Sequence, residues 1–222
     1  MSKFNNFTVS SAKKMPVIIL ADISGSMSVD GKIGTLNRAI ADMVAAFKEE
    51  EDVRADINIA VITFGRGGAL NHQPLLPVSQ IQWTDMAAAG PTPMGAAFDL
   101  VKSLVEDRNQ IASRDYHPTI VLVSDGQPTD NWQEPLQQLL TSPRASKAFR
   151  LSMGIGADAD YKVLEEFLQG QHPEIPVFRA DEASQIRKFF RWVTMSVTNR
   201  SKSASPDSMP IVDFERFEDL DF

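Results

Sequence analysis

Apolar residues follow two rhythms along this chain. Met15–Ala21 is an unbroken apolar, β-branched run, which predicts a strand buried on both faces. From Lys32 to Glu51 the apolar positions are Ile33, Leu36, Ile40, Met43, Val44 and Phe47. Steps of three and four mark one stripe of an amphipathic helix.

The two rhythms then alternate. Strands are predicted at Asp56–Phe64, Thr119–Ser124, Ala148–Ile155 and Pro176–Arg179, and helices at Met94–Ala112, Glu134–Thr141, Ala159–Leu168 and Glu182–Thr198. "GRGG" at Gly65–Gly68 reads as a turn. Gln73–Ser79 reads as a short antiparallel edge strand, because its two prolines would be costly in a sheet centre. Strand–helix alternation with fully apolar strands predicts an α/β fold, a doubly wound and mostly parallel sheet with helices on both faces. No internal repeat is visible.

Composition divides the chain further. Residues 1–14 form a polar N-terminal extension, 15–198 the folded domain, and 199–222 a polar linker followed by "MPIVDFERFEDLDF". In that tail Phe214, Phe217, Leu220 and Phe222 stand among acids. It reads either as a disordered end or as a short peptide that docks on its own domain or on a partner, in cis or in trans.

The 222 residues are 43% hydrophobic, with a net charge of −7 and a pI near 5.0. An acidic chain argues against non-specific nucleic-acid binding and favours cations or basic partners. There is no cysteine, which excludes disulfides, thiolate metal sites and cysteine nucleophiles. Met1–Lys14 carries no apolar signal region, and no run approaches the roughly 18 apolar residues of a membrane span. The expectation is a cytoplasmic protein without a membrane partner.

Oxygen donors collect where ligands gather in open α/β sheets, at the C-terminal ends of strands. "DISGSM" puts Asp22, Ser24 and Ser26 after the first strand. "AGPTPMGAA" puts Thr92 before a helix, and "SDGQPTD" puts Asp125 directly after another strand. Each alone also fits a turn or a helix cap. Together, three hydroxyls and two carboxylates make an all-oxygen set suited to a hard cation such as Mg2+. With only two carboxylates in the set, the ion gains from an outside anionic oxygen.

These residues resemble the DxSxS motif and the second and third motif loops of von Willebrand factor A (VWA) domains. The resemblance covers about Met15 to Thr198 and implies that family's Rossmann-like fold and metal-ion-dependent adhesion site. It implies Ser24, Ser26 and Thr92 as direct ligands, Asp22 and Asp125 in support largely through water, and a partner's Glu or Asp at the open position. Mg2+ is the implied ion, with Mn2+ or Ca2+ as alternatives. Within the family the short "SDGQPTD" and "GPTPMGAA" loops look most like the bacterial tellurite-resistance (TerY-type) proteins. That likeness implies a stress-response or phage-defence setting, with a protein phosphatase or kinase as partner.

The expected role is therefore a metal-dependent protein–protein interaction module and not an enzyme. The alternative is a metal-dependent phosphohydrolase with Asp22 as nucleophile, but such enzymes need a second carboxylate where this chain has Ser24. No Gly-x-Ser-x-Gly elbow and no phosphate-cradling loop is present. "MGIGADAD" at Met153–Asp160 has Ala159 where a dinucleotide fingerprint needs its third glycine. It reads as a turn with Asp158 or Asp160 capping the next helix. His72, His117 and His172 read as surface or loop histidines, and Trp83 as a packing anchor for the loop before Thr92.

Overall fold

The computed structural model describes residues 12–50, 54–171 and 175–208. The acidic-aromatic tail, His172 and most of the N-terminal extension lie outside the described residues. Among the described residues six strands form one sheet: β1 (Lys14–Asp22), β2 (Asp56–Gly65), β3 (Gly68–Pro77), β4 (Thr119–Ser124), β5 (Phe149–Ile155) and β6 (Phe178–Ala180). Their spatial order is β3-β2-β1-β4-β5-β6. β3 pairs antiparallel with β2 and every other pairing is parallel. This is the doubly wound, mostly parallel sheet that the apolar strands predict.

Among the described residues five α-helices cover it: α1 (Lys32–Glu49), α2 (Met94–Glu106), α3 (Gln133–Thr141), α4 (Tyr161–Leu168) and α5 (Ala183–Lys202). Side chains alternate across a strand, and β1 shows why its run is apolar throughout. Val17, Ile19 and Ala21 join the core under α1 and α5, while Ile18 and Leu20 join the core under α2, α3 and α4. Met15 to Ala21 shows no measurable exposure at any of its apolar residues.

Three elements depart from expectation. α2 ends at Glu106 and not Ala112, because Asp107 turns the chain: its carboxylate accepts from Asn109 N and its carbonyl from Gln110 N and Ile111 N. Ile111 stays buried, so its apolar character reports the core and not a helix. The edge strand is longer than the apolar signal, running over Gly68–Pro77. Its early residues are polar or exposed because an edge strand faces solvent, and the tight turn before it uses Gly67 and Gly68 at φ 90° and 93°. The closing helix runs on to Lys202 and is followed by a 3-10 turn at Pro206–Ser208, within the stretch expected to be unordered. There the buried Arg200 donates to Pro206 O, Thr119 Oγ1 and His117 O, which draws the chain onto the sheet.

The strand order reverses at β1. β2 and β3 lie on one side of it and β4 to β6 on the other, so the loops after β1 and β4 part above the sheet. A cleft at this switch point is where open α/β sheets bind ligands.

Candidate functional site

Asp22 ends β1 and Ser124 ends β4, one step beyond the paired residues Ala21 and Val123. The two meet: Ser124 Oγ donates to Asp22 Oδ2 at 2.6 Å, and Ser24 N donates to Asp22 Oδ1 at 2.7 Å. Asp22 is fully buried. Burial pushes its carboxyl above the ordinary 3.8, hydrogen bonds from Ser124 and Ser24 pull it back down, and the nearby Asp125 charge adds to the rise.

The remaining oxygens form a chain. Ser24 Oγ and Ser26 Oγ lie 2.9 Å apart, and Ser26 Oγ donates to Asp125 Oδ1 at 2.7 Å. Asp125 is buried, whereas Ser26 is exposed and carries the cluster to the surface. Asp125 Oδ2 accepts from Lys32 Nζ at 2.7 Å.

Thr92 arrives on the long segment between Ile81 and α2, which the fold ties down by backbone. Asn37 on α1 brackets Met86, accepting from its N and donating to its O. Ala89 N donates to Ile23 O, Gly25 N to Gly90 O, and Arg66 N to Ala89 O. The segment thus inserts between the ends of β1 and β2. Gly65 and Gly90 allow it: a Cβ at Gly65 would lie 2.9 Å from Ala89 O, and one at Gly90 2.6 Å from Arg66 N.

Thr92 is buried and does not cap α2. The capping position falls on Pro93, with no side-chain cap from it. Asp130, reaching over from the loop after β4, accepts instead from Gly95 N and Ala96 N at 2.9 and 3.0 Å. Nor does Ser26 cap a helix, since α1 starts after Gly31. The Thr92 hydroxyl lies beside Gly126. A Cβ built there would sit 3.5 Å from Thr92 Oγ1 and 3.7 Å from Ser26 Oγ.

All five residues singled out from sequence therefore lie on one edge, held by three loops. Ser124, Lys32, Asn37 and Asp130 were missed. Among the described residues no group of three or more His, Cys, Asp or Glu could hold a metal ion; the donors here are mainly hydroxyls. His72 is instead bound to Thr84 O and packs edge-on against Trp83, whose ring sits partly buried against the core. Asp160, as expected of the "MGIGADAD" turn, caps α4 by accepting from Val163 N.

A mostly parallel sheet with helices on both faces and an oxygen cluster at its switch point defines a doubly wound α/β domain. The sequence model of the von Willebrand factor type A domain matches residues 17–192, and the chain belongs to that family. A comparison with curated proteins finds no match. Among solved structures, the pilus adhesin SpaC from Lactobacillus rhamnosus GG in its open conformation is similar at TM-score 0.70 and 13% identity, over 86% of this chain and 31% of that one. Proximal thread matrix protein 1 from the mussel byssus, with a zinc-occupied MIDAS motif, gives 0.61 at 15% identity, over 83% and 48%. The ArnB paralog VWA2 from Sulfolobus acidocaldarius gives 0.57 at 16%, over 86% and 46%. The chain thus spans under half the length of these proteins, and the likeness concerns the fold. No described helix is long and apolar enough to cross a membrane.

Proposed function

We propose that this chain is a divalent-metal-dependent interaction module that takes an acidic side chain of a partner protein. One observation carries the reading. The Ser24, Ser26 and Asp125 oxygens are linked in series, and the Thr92 hydroxyl, which does no capping, lies beside Gly126 as that of Ser26 does. Ser24, Ser26 and Thr92 would hold the ion, with Asp22 and Asp125 behind them. Hydroxyl and carboxylate oxygens fit Mg2+ and accept Mn2+ or Ca2+. The mussel thread protein of the same fold, whose MIDAS motif carries zinc, supports a divalent cation here. When bound, the ion supplies a Lewis-acidic position for a carboxylate oxygen.

The phosphohydrolase reading has less support. Asp22 is fully buried with both carboxylate oxygens occupied by donors, and Ser24 stands where the acid/base carboxylate is needed. A cytoplasmic bacterial stress-response or phage-defence role, with an associated phosphatase or kinase as partner, rests on the TerY-type likeness of the loops alone. Docking of residues 209–222 at the metal would make the chain its own ligand.

The test is capture of partners from the source cell by the tagged full chain in Mg2+, in EDTA, and with Thr92→Ala. A protein held in Mg2+ and lost in both controls is the expected result. Partners held equally under all three conditions would overturn the metal-dependent reading and direct attention to the tail.

A further inference from the structure

Lys32 brings a cationic side chain into contact with the five-residue cluster. Its Nζ lies 2.7 Å from Asp125 Oδ2, and the pair is mostly shielded, with side-chain exposures of 22% and 0%. The chain is bent to bring it there. At the end of the 3-10 segment Gly25–Gly31, just before α1, Asp30 and Gly31 both adopt the left-handed region, at φ 53° and 68°. Asp30 is the only non-glycine residue with positive φ among those described, a conformation that is uncommon outside glycine. Lys32 follows as the first residue of α1.

Asp125 is therefore fixed by two donors on different oxygens, Ser26 on Oδ1 and Lys32 on Oδ2. The charges of the site follow. Asp22 and Asp125 contribute two formal negatives and Lys32 one positive. A divalent ion takes the sum from −1 to +1, and a single carboxylate brings it to zero. Without Lys32 the loaded site would already be neutral.

We propose that Lys32 is a positioning residue that sets the charge of the loaded site, lowering affinity for the metal while raising the affinity of the bound metal for an anionic ligand. This rests on the metal-dependent reading above. The two effects have opposite signs because the ammonium repels the cation and attracts the carboxylate. A purely structural lysine would move both in the same direction.

The test compares full-length wild type with Lys32→Met and Lys32→Arg, each checked for folding by circular dichroism. Mn2+ binding is followed by calorimetry. Acetate serves as the carboxylate probe, followed by the paramagnetic broadening of its methyl resonance in the Mn2+-loaded protein. Lys32→Met is expected to bind Mn2+ roughly tenfold tighter and acetate roughly threefold more weakly, as befits loss of one half-shielded charge. Lys32→Arg keeps the charge and stays near wild type. Lys32→Gln replaces the methionine variant if that one fails to fold.

Unchanged or weaker Mn2+ binding by the neutral variant, with wild type binding normally, overturns this role and leaves the metal reading standing. So does a parallel fall of both affinities. Absence of Mn2+ binding in wild type itself overturns the metal reading and this role with it.

Discussion

Asp22 is held against its own chemistry. Its folded-state pKa lies above the unfolded value because burial outweighs the hydrogen bonds from Ser124 and Ser24. A carboxyl raised on folding stabilises the fold only while protonated, so that contribution is lost as pH rises through the folded pKa. Metal-free protein should therefore gain stability from Asp22→Asn at neutral pH, and the gain should shrink as pH falls towards the acidic range. The amide can still accept from Ser24 N and donate to Ser124. Thermal melts in EDTA across that pH range measure it, and a loss of stability at pH 7 would contradict it. The same variant should bind Mn2+ about 10–100-fold more weakly, the usual cost of losing a supporting carboxylate. Thr92→Val removes a hydroxyl that caps nothing, so it should cost under about 1 kcal/mol of stability and yet weaken Mn2+ binding at least about tenfold. The five candidate residues were legible because each follows a strand or precedes a helix that periodicity already marks. Their supporters were not: Lys32 reaches Asp125 across 93 positions and Ser124 reaches Asp22 across 102. No local spacing encodes such pairs.

The elements matter mainly through what they let past. The segment before α2 has no regular structure, so its hydrogen bonds run to the ends of β1 and β2 and to Asn37. Gly90 has φ 91° and no room for a Cβ against Arg66. Gly90→Ala should cost more than about 1 kcal/mol and weaken Mn2+ binding although no proposed ligand changes. Calorimetry on this variant that returned wild-type affinity would show that the segment does not position Thr92. Asp130→Ala should cost about 1 kcal/mol through the lost cap on α2, with a smaller fall in affinity, since Gly95 N and Ala96 N take their partner from it. Sequence periodicity placed the strands and helices because buried apolar side chains repeat with the element. It overran α2, where Ile111 is buried from a turn, and under-read β3, where solvent on the edge removes the apolar signal. Asn37 fell silently within the α1 stripe because its bond to Met86 is a contact with a loop 49 positions away.

At the scale of the whole molecule, the site and a buried arginine clamp sit at opposite ends of the sheet. Arg200, buried on α5, donates to Thr119 Oγ1 at 2.6 Å at the start of β4 and stacks 3.8 Å over the Phe149 ring at the start of β5. It also pairs with Asp207 at 3.6 Å. Burial lowers its guanidinium to about 10, with the Asp207 charge opposing the shift, so it stays protonated at neutral pH. Ser124 and Asp125 close the other end of β4, about 16–17 Å away at the usual rise per residue. Arg200→Ala leaves buried acceptors unpaired and should cost about 3 kcal/mol or more. Its effect should add to that of the metal, because sites this far apart with no shared partner rarely couple. Metal at about a hundred times its dissociation constant contributes roughly 2.7 kcal/mol to a fold that binds it only when native, which raises Tm by about 5–10 °C in a domain of this size. The expected outcome is one and the same Mg2+-induced rise in wild type and in Arg200→Ala, from a lower starting Tm, and a smaller rise in Asp22→Asn. Equal melting with and without Mg2+ in wild type would remove the metal from the account. A rise that vanished in Arg200→Ala would instead show that the two ends of the sheet are coupled, and that β4 transmits between them.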